Sequence, residues 1–300
     1  MNKAYIFVVL TAFLFGTMEV ACKAAGSQLD PFQLTFIRFA IGGLILLPFA
    51  IAELKKNDIR LNGKDILTLA GVGILCIPLS MLFFQLGVMN CNASTSSVLI
   101  CINPFFTMVF AHIFTEEKLN KHKFLVLGIG FIGLIFMIKP WNIQEGNTVI
   151  GIIYMLLAAL FFGAYTVAGK VSIKKMGIMA QTSISFILGS LILLIIIVAA
   201  GKPVVAGVAD NLPLVLYVGI FVTGLGYFCY FKAIKLADAA TGSLAFFLKP
   251  AIAPVIAVIV LKETILWNTY MGIGFILVAS YMNIRYQRKQ NELKKKLGNK

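Results

Sequence analysis

Sixty per cent of the 300 residues are apolar and only 13% are charged, with a mean hydropathy of +0.93. A water-soluble domain runs at about 45–50% apolar and about 25% charged, so this balance excludes a soluble fold and places the chain in a bilayer. The formal net charge of +14 does not indicate nucleic acid, because 22 of the 26 positive residues sit in short joints and a tail rather than gathered on one polar surface.

Apolar runs of roughly 17–25 residues are long enough to cross a hydrocarbon core. Ten are expected, at 4–25, 32–53, 65–89, 92–115, 121–138, 148–172, 178–200, 211–231, 238–261 and 267–285. The first, opening "MNKAYIFVVLTAFLFG", carries Lys3 ahead of an apolar stretch, as a signal peptide does. No small-residue cleavage site flanked by polar residues follows, so it reads as an uncleaved span. Span 1 holds Glu19 and Lys23, four residues apart and therefore on one helical face. Span 2 holds Arg38 at similar depth.

Span 3 contributes Gln85, and span 4 contributes Ser96 and the step Asn103-Pro104 before ending near Glu117. After span 5, span 6 carries Tyr165 and Lys170, and span 8 carries Tyr227 and Tyr230. Span 9, "SLAFFLKPAIAPVIAVIV", has Lys249 beside Pro250, with Pro254 following, and ends before Glu263. Each proline removes a helical N–H, so Pro104, Pro250 and Pro254 are expected helix-break positions. A lysine at a helix centre in lipid costs about 2.5–3.5 kcal/mol on insertion scales, so Lys249 needs water, backbone carbonyls or an anion beside it.

Ten spans put both termini and four alternate joints on one face. That face carries nineteen Lys and Arg residues, including Lys55, Lys56, Arg60 and Lys64, and the basic tail 286–300; the opposite face carries Lys139, Lys202 and Lys262. The termini are therefore expected in the cytoplasm, with the tail near anionic lipid.

The chain also resembles itself. Shifted by 147 residues, "TFIRFAIGGLILL" (35–47) matches "TSISFILGSLILL" (182–194) at eight of 13 positions, Gly16 falls on Gly163, and Lys23 falls on Lys170. Shifted by 146, "NASTSSVLICINP" (92–104) lies on "DAATGSLAFFLKP" (238–250), and Glu117 lies on Glu263. The matches keep their order, which indicates a duplicated unit, 4–138 and 148–285. Five spans per unit is odd, so the second copy enters from the opposite side, the inverted-repeat plan of many secondary transporters. Asn103-Pro104 and Lys249-Pro250 then become symmetry mates about 16 Å into their spans, near mid-bilayer.

These pieces resemble the drug/metabolite transporter superfamily, specifically its ten-span EamA branch. The resemblance rests on "FGTMEVACKAA", Arg38, "LGVMNCNASTSSVLICINPFFTMVFAHIFTEE", "FFGAYTVAGK" and "KAIKLADAATGSLAFFLKPAIAPVIAVIVLKE", and covers about residues 4–285. It implies a plasma-membrane exporter or exchanger of small metabolites, amino acids prominent among them. It also implies a central cavity among spans 1, 3, 4, 6, 8 and 9, with spans 5 and 10 peripheral.

Two readings stand for the charges of spans 1 and 2. Either Glu19 relays a proton or joins a zwitterion site with Lys23 and Arg38, or Glu19 pairs structurally with Arg38 while Lys23 snorkels outward. Lys249 reads as the partner of a substrate carboxylate, its ammonium held by the carbonyls of Phe246 and Pro250 in the empty state. Asn103, Gln85, Ser96, Tyr165, Tyr227 and Tyr230 are further substrate-contact candidates, against the alternative of plain helix bridging or packing. Glu117 and Glu263, at matching span ends, are candidates for gating or repeat-to-repeat contact.

Several chemistries are set aside. "GIGFIG" (128–133) lies inside an apolar span with no strand before it, so dinucleotide binding is not indicated. "GAYTVAGKV" (163–171) has five residues between its glycines and Val171 where a phosphate loop needs Ser or Thr. The five cysteines show no close pairing, and the sequon at Asn92 sits in a tight joint. No metal, cofactor, nucleic-acid partner or catalytic group is expected. The reading is an all-α membrane protein of ten helices that moves a small polar metabolite by alternating access, as monomer or homodimer, with proton coupling one mode. Its rivals are an uncoupled facilitator and a membrane-embedded enzyme.

Overall fold

The computed structural model describes residues 3–115, 121–138, 145–236 and 239–298, and these are helical with no strand among them. The elements run α1 (Lys3–Gly16), α2 (Met18–Gly26), α3 (Pro31–Lys56), α4 (Gly63–Ile74), α5 (Leu82–Asn90), α6 (Ala93–Ile100), α7 (Asn103–Phe114) and α8 (Lys121–Ile138). They continue with α9 (Val149–Met176), α10 (Ile178–Ala199), α11 (Leu212–Leu216), α12 (Gly226–Leu236), α13 (Ala239–Leu261) and α14 (Trp267–Gly298). Local chemistry starts the helices where it should. Asp30 accepts from Phe32 N at 2.8 Å with Pro31 in the first turn of α3. Asn62 and Asp65 form a reciprocal capping box at α4, 2.9 and 3.1 Å, and Thr148 caps α9 at 3.0 Å.

Among the described residues, seven helical segments are long and apolar enough to cross a membrane: Ala4–Gly26, Pro31–Lys56, Gly63–Asn90, Ala93–Phe114, Val149–Met176, Ile178–Ala199 and Ala209–Leu236. Shorter apolar stretches, Phe124–Gly133, Ile252–Leu261 and Trp267–Ala279, lie within α8, α13 and α14, where the fifth, ninth and tenth spans are expected. Large apolar side chains such as Phe13, Leu44, Phe49, Phe131, Ile195 and Ile259 face outward. Inside lie fully buried Glu19, Arg38, Gln85 and Lys249. Apolar outside and polar inside is the arrangement of a protein whose solvent is lipid.

Four joints differ from simple straight spans. Span 1 kinks at Thr17, whose hydroxyl bonds Leu14 O (2.8 Å) and the Tyr217 hydroxyl (2.7 Å), and this sets Glu19 in the first turn of the separate helix α2. Spans 3 and 8 each contain a π-helical segment, Leu75–Met81 and Tyr217–Leu225. Pro78 inside the first has no N–H to give and crowds the carbonyl four residues back, which widens the turn. Span 4 breaks at Cys101 and Ile102, ahead of Pro104 in the first turn of α7. The expected breaks at Pro250 and Pro254 do not appear: α13 runs through both as one helix.

Helices pack in pairs, α3 on α10, α8 on α14, α1 on α12 and α13, and α9 on α5 and α7. Glycine permits the closest approaches. A Cβ on Gly16 would meet Ile252 Cγ2 at 2.7 Å, and one on Gly163 would meet Phe106 Cβ at 2.8 Å. Gly189 crosses Gly73 backbone to backbone, 2.6 Å from its carbonyl to such a Cβ.

Candidate functional site

The kink at Thr17 aims the first turn of α2 at the middle of α13, and the two charges meet there. Lys249 Nζ lies 2.5 Å from Glu19 Oε1, with both side chains fully buried. Glu19 gains further from its place in the first turn of α2, where the helix dipole favours an anion. The pairing differs from the structural pair read from the sequence: Glu19 is matched with Lys249 rather than Arg38, and Lys249 is held by a carboxylate rather than by the carbonyls of Phe246 and Pro250. The physical reason is the crossing of α2 with α13, which brings opposite charges of the two halves into contact where both are fully buried.

Arg38 lies beside this pair, close enough for its charge to act on the Glu19 carboxyl. It is fully buried, yet its Nε and Nη2 have no hydrogen-bond partner, and Nη1 reaches only Met18 Sδ at 3.9 Å. Its guanidinium stands 4.5 Å from the Phe39 ring centre and 5.9 Å from that of Phe84. Lys249 Nζ lies 5.8 Å from the centre of the same Phe84 ring, so one aromatic ring neighbours both cations.

Around the charges runs a continuous aromatic wall. Tyr227 packs on Phe15 (5.1 Å), Phe39 (5.7 Å) and Phe186 (5.1 Å). Tyr165 and Tyr230 join it through Phe162 and Phe246, with centroid separations of 5.5 Å for Phe162–Tyr165 and for Tyr230–Phe246. The three tyrosines singled out from the sequence thus belong to one cluster. Gln85 donates to Cys22 O at 3.2 Å, tying α5 to α2, and leaves its Oε1 unpartnered. Ser96 is buried with an unpartnered hydroxyl, and Asn103 turns back to Ile100 O at 2.8 Å, filling an acceptor freed by the break in span 4.

Two other candidates lie away from this centre. Lys23 does not snorkel freely: its Nζ donates to Cys91 O (2.8 Å) and pairs with Glu263 Oε1 (3.1 Å). Glu263 in turn accepts from Ala93 N (2.7 Å), Ser94 N (3.0 Å) and Ser94 Oγ (2.8 Å), closing the N-terminus of α6. Burial alone would raise the Glu263 carboxyl pKa, but the Ser94 and Ala93 amides, the Ser94 hydroxyl and Lys23 outweigh it and hold it below the ordinary 4.5. Glu117 lies outside the described residues. Sequence reasoning missed Thr17 and Tyr217, whose hydroxyls fix the kink; a threonine following glycine inside an apolar run was the available signal.

Comparison with known proteins gives a consistent result. The model of the EamA-like transporter family matches twice, over residues 2–139 and 149–285. An uncharacterized transporter of Clostridium kluyveri is 39% identical, the match covering 98% of this chain and 97% of that one. An S-adenosylmethionine uptake transporter of Rickettsia prowazekii is 24% identical over 90% of this chain and 88% of its own. A solved crystal structure with 16% identity aligns with a TM-score of 0.68, covering 97% of this chain and 99% of that one, a likeness of fold. The chain is a multi-pass membrane protein and belongs to the EamA-like transporter family.

Proposed function

We propose that the protein is a secondary transporter that carries a small polar metabolite bearing a carboxylate, an amino acid or related compound, across the plasma membrane by alternating access. The observation that carries this reading is the fully buried Glu19–Lys249 contact between the first and second halves of the chain. An ion pair without water is an expensive way to hold two helices together, because desolvation offsets much of its attraction. It has a use where a ligand's own charges can compete with it and so change which helices are joined.

The same reading takes the chain as two inverted five-helix repeats, 4–138 and 148–285, in ten spans with cytoplasmic termini. Its support is the packing of Gly16 on Ile252 and of Gly163 on Phe106, positions matched by the internal repeat, and the π-helical segments in spans 3 and 8. Helical π-turns and kinks near a buried charge give a span two ways of packing. The named S-adenosylmethionine relatives support a substrate that carries both an amino-acid headgroup and a flat ring, and they leave import as well as export within the family's range.

The test is a thermal-stability screen of the purified protein against amino acids and their derivatives, including S-adenosylmethionine, followed by counterflow in proteoliposomes. The reading expects a stabilising compound to exchange across the vesicle membrane. An imposed pH gradient that accelerates net flux identifies proton coupling. Binding without any exchange overturns the transport reading.

A further inference from the structure

Of the fully buried charged side chains described at the centre, Glu19 and Lys249 neutralise one another, and Arg38 is left over. An uncompensated guanidinium in a low-dielectric interior is costly, and such a group is normally fully hydrogen-bonded. Here two of its three nitrogens have no partner and the third has only a thioether sulfur. The guanidinium lies over Phe39 and near Phe84, with Tyr227 edge-on to Phe39. A planar, five-donor fork with free nitrogens beside flat aromatic faces matches a carboxylate attached to a flat apolar body.

We propose that Arg38 is the anion-binding group of this transporter and that its ligand class is a small monocarboxylate with a planar or apolar body. This rests on the transport reading above and assigns the charge-recognising role to span 2 instead of span 9. Lys249 already occupies the Glu19 carboxyl as its counter-charge, so that the incoming carboxylate meets Arg38 as the one unmatched positive charge. The incoming anion makes the buried centre neutral, which favours loading by monoanions over dianions.

Two probes that differ only in charge decide the question: benzoate and benzamide, titrated at millimolar concentration against detergent-purified protein with thermal unfolding as readout. Benzoate is expected to raise the transition temperature in a saturable way, and benzamide is not. Arg38→Met should abolish the benzoate response, weakening apparent affinity at least tenfold, equivalent to about 1.4 kcal/mol. Arg38→Lys should retain part of the response. Because Arg38→Met removes an unpaired buried charge, its ligand-free stability should equal or exceed that of the natural protein. Destabilisation of that variant, or its failure to fold, would show Arg38 to be a structural partner and overturn the proposal. So would an unchanged benzoate response in Arg38→Met, or no response in the natural protein. Benzoate binding through Arg38 without flux of any solute in proteoliposomes overturns the transport reading alone, and flux indifferent to Arg38→Met overturns this assignment alone.

Discussion

At the scale of single residues, the three buried charges make an asymmetric demand. Removing Glu19 leaves two cations, Lys249 and Arg38, with no anion between them, whereas removing Lys249 leaves Glu19 beside Arg38 and a neutral pair. Breaking a buried pair from one side costs about 3–5 kcal/mol when the survivor is stranded. Glu19→Gln is therefore expected to lose about that much, and Lys249→Met clearly less, because Arg38 takes over as counter-charge. Ligand-free thermal or denaturant unfolding in detergent measures both, and equal losses in the two variants would contradict the three-charge arrangement. The cost of Lys249 and the unusual position of Glu19 were each legible in the sequence, since a charge inside an apolar run must have a reason. Their partnership was not. It depends on a kink at Thr17 and on which helix of the second half crosses α2, and Arg38 was the nearer partner along the chain.

Helix ends tell a similar story one scale up. Glu263 follows α13 and yet caps α6, and Lys23 of α2 completes the contact, so three spans are fastened at one end of the molecule by one carboxylate. Its pKa is held below 4.5, so the contact contributes fully at pH above that ordinary value and is lost as the pH falls through the lower folded-state value. Glu263→Gln keeps the shape and removes the charge, and by analogy with helix capping it is expected to cost about 0.5–2 kcal/mol near neutral pH. In unfolding measurements taken from pH 6 downwards, the gap between the natural protein and the variant should narrow once the pH falls below 4.5. A gap that persists or widens with acidification would rule out the ionised clasp. If the contact also closes one side of the transport path, Glu263→Gln should speed exchange in proteoliposomes while lowering stability. The sequence placed Glu263 at a symmetric span end but gave no sign of α6 as its target. The capping amides of Ala93 and Ser94 belong to the chain's other half, and no periodicity reports on that distance. Pro78 in the π-helical segment of span 3 was visible, whereas its counterpart around Tyr217–Leu225 has no proline and follows the close approach of Gly42 to Gly219 and Gly224.

For the whole molecule, hydropathy and the internal repeat made the helical membrane class and the duplicated plan legible. Both follow from composition and order, which survive without any knowledge of contacts. Orientation rests on charge alone, with nineteen positive residues expected on one face and three on the other. A labelling experiment tests it without background, because all five natural cysteines are free and buried. Asn57 follows α3 at the expected cytoplasmic face, and Val205, 71% exposed, lies between α10 and α11 at the expected outer face. In whole cells, Val205→Cys is expected to react with a membrane-impermeant maleimide, and Asn57→Cys only after the membrane is made permeable. Asp30 pairs with Lys202 at 2.8 Å, which ties the start of α3 to the segment after α10, so those two points share a face whichever way the molecule sits. Reversed labelling of both sites would turn the molecule over and leave its fold intact. Labelling of both from the same side would remove the odd number of crossings expected between residues 57 and 205, and with it the proposed inverted repeat and the proposed alternating access around Glu19 and Lys249.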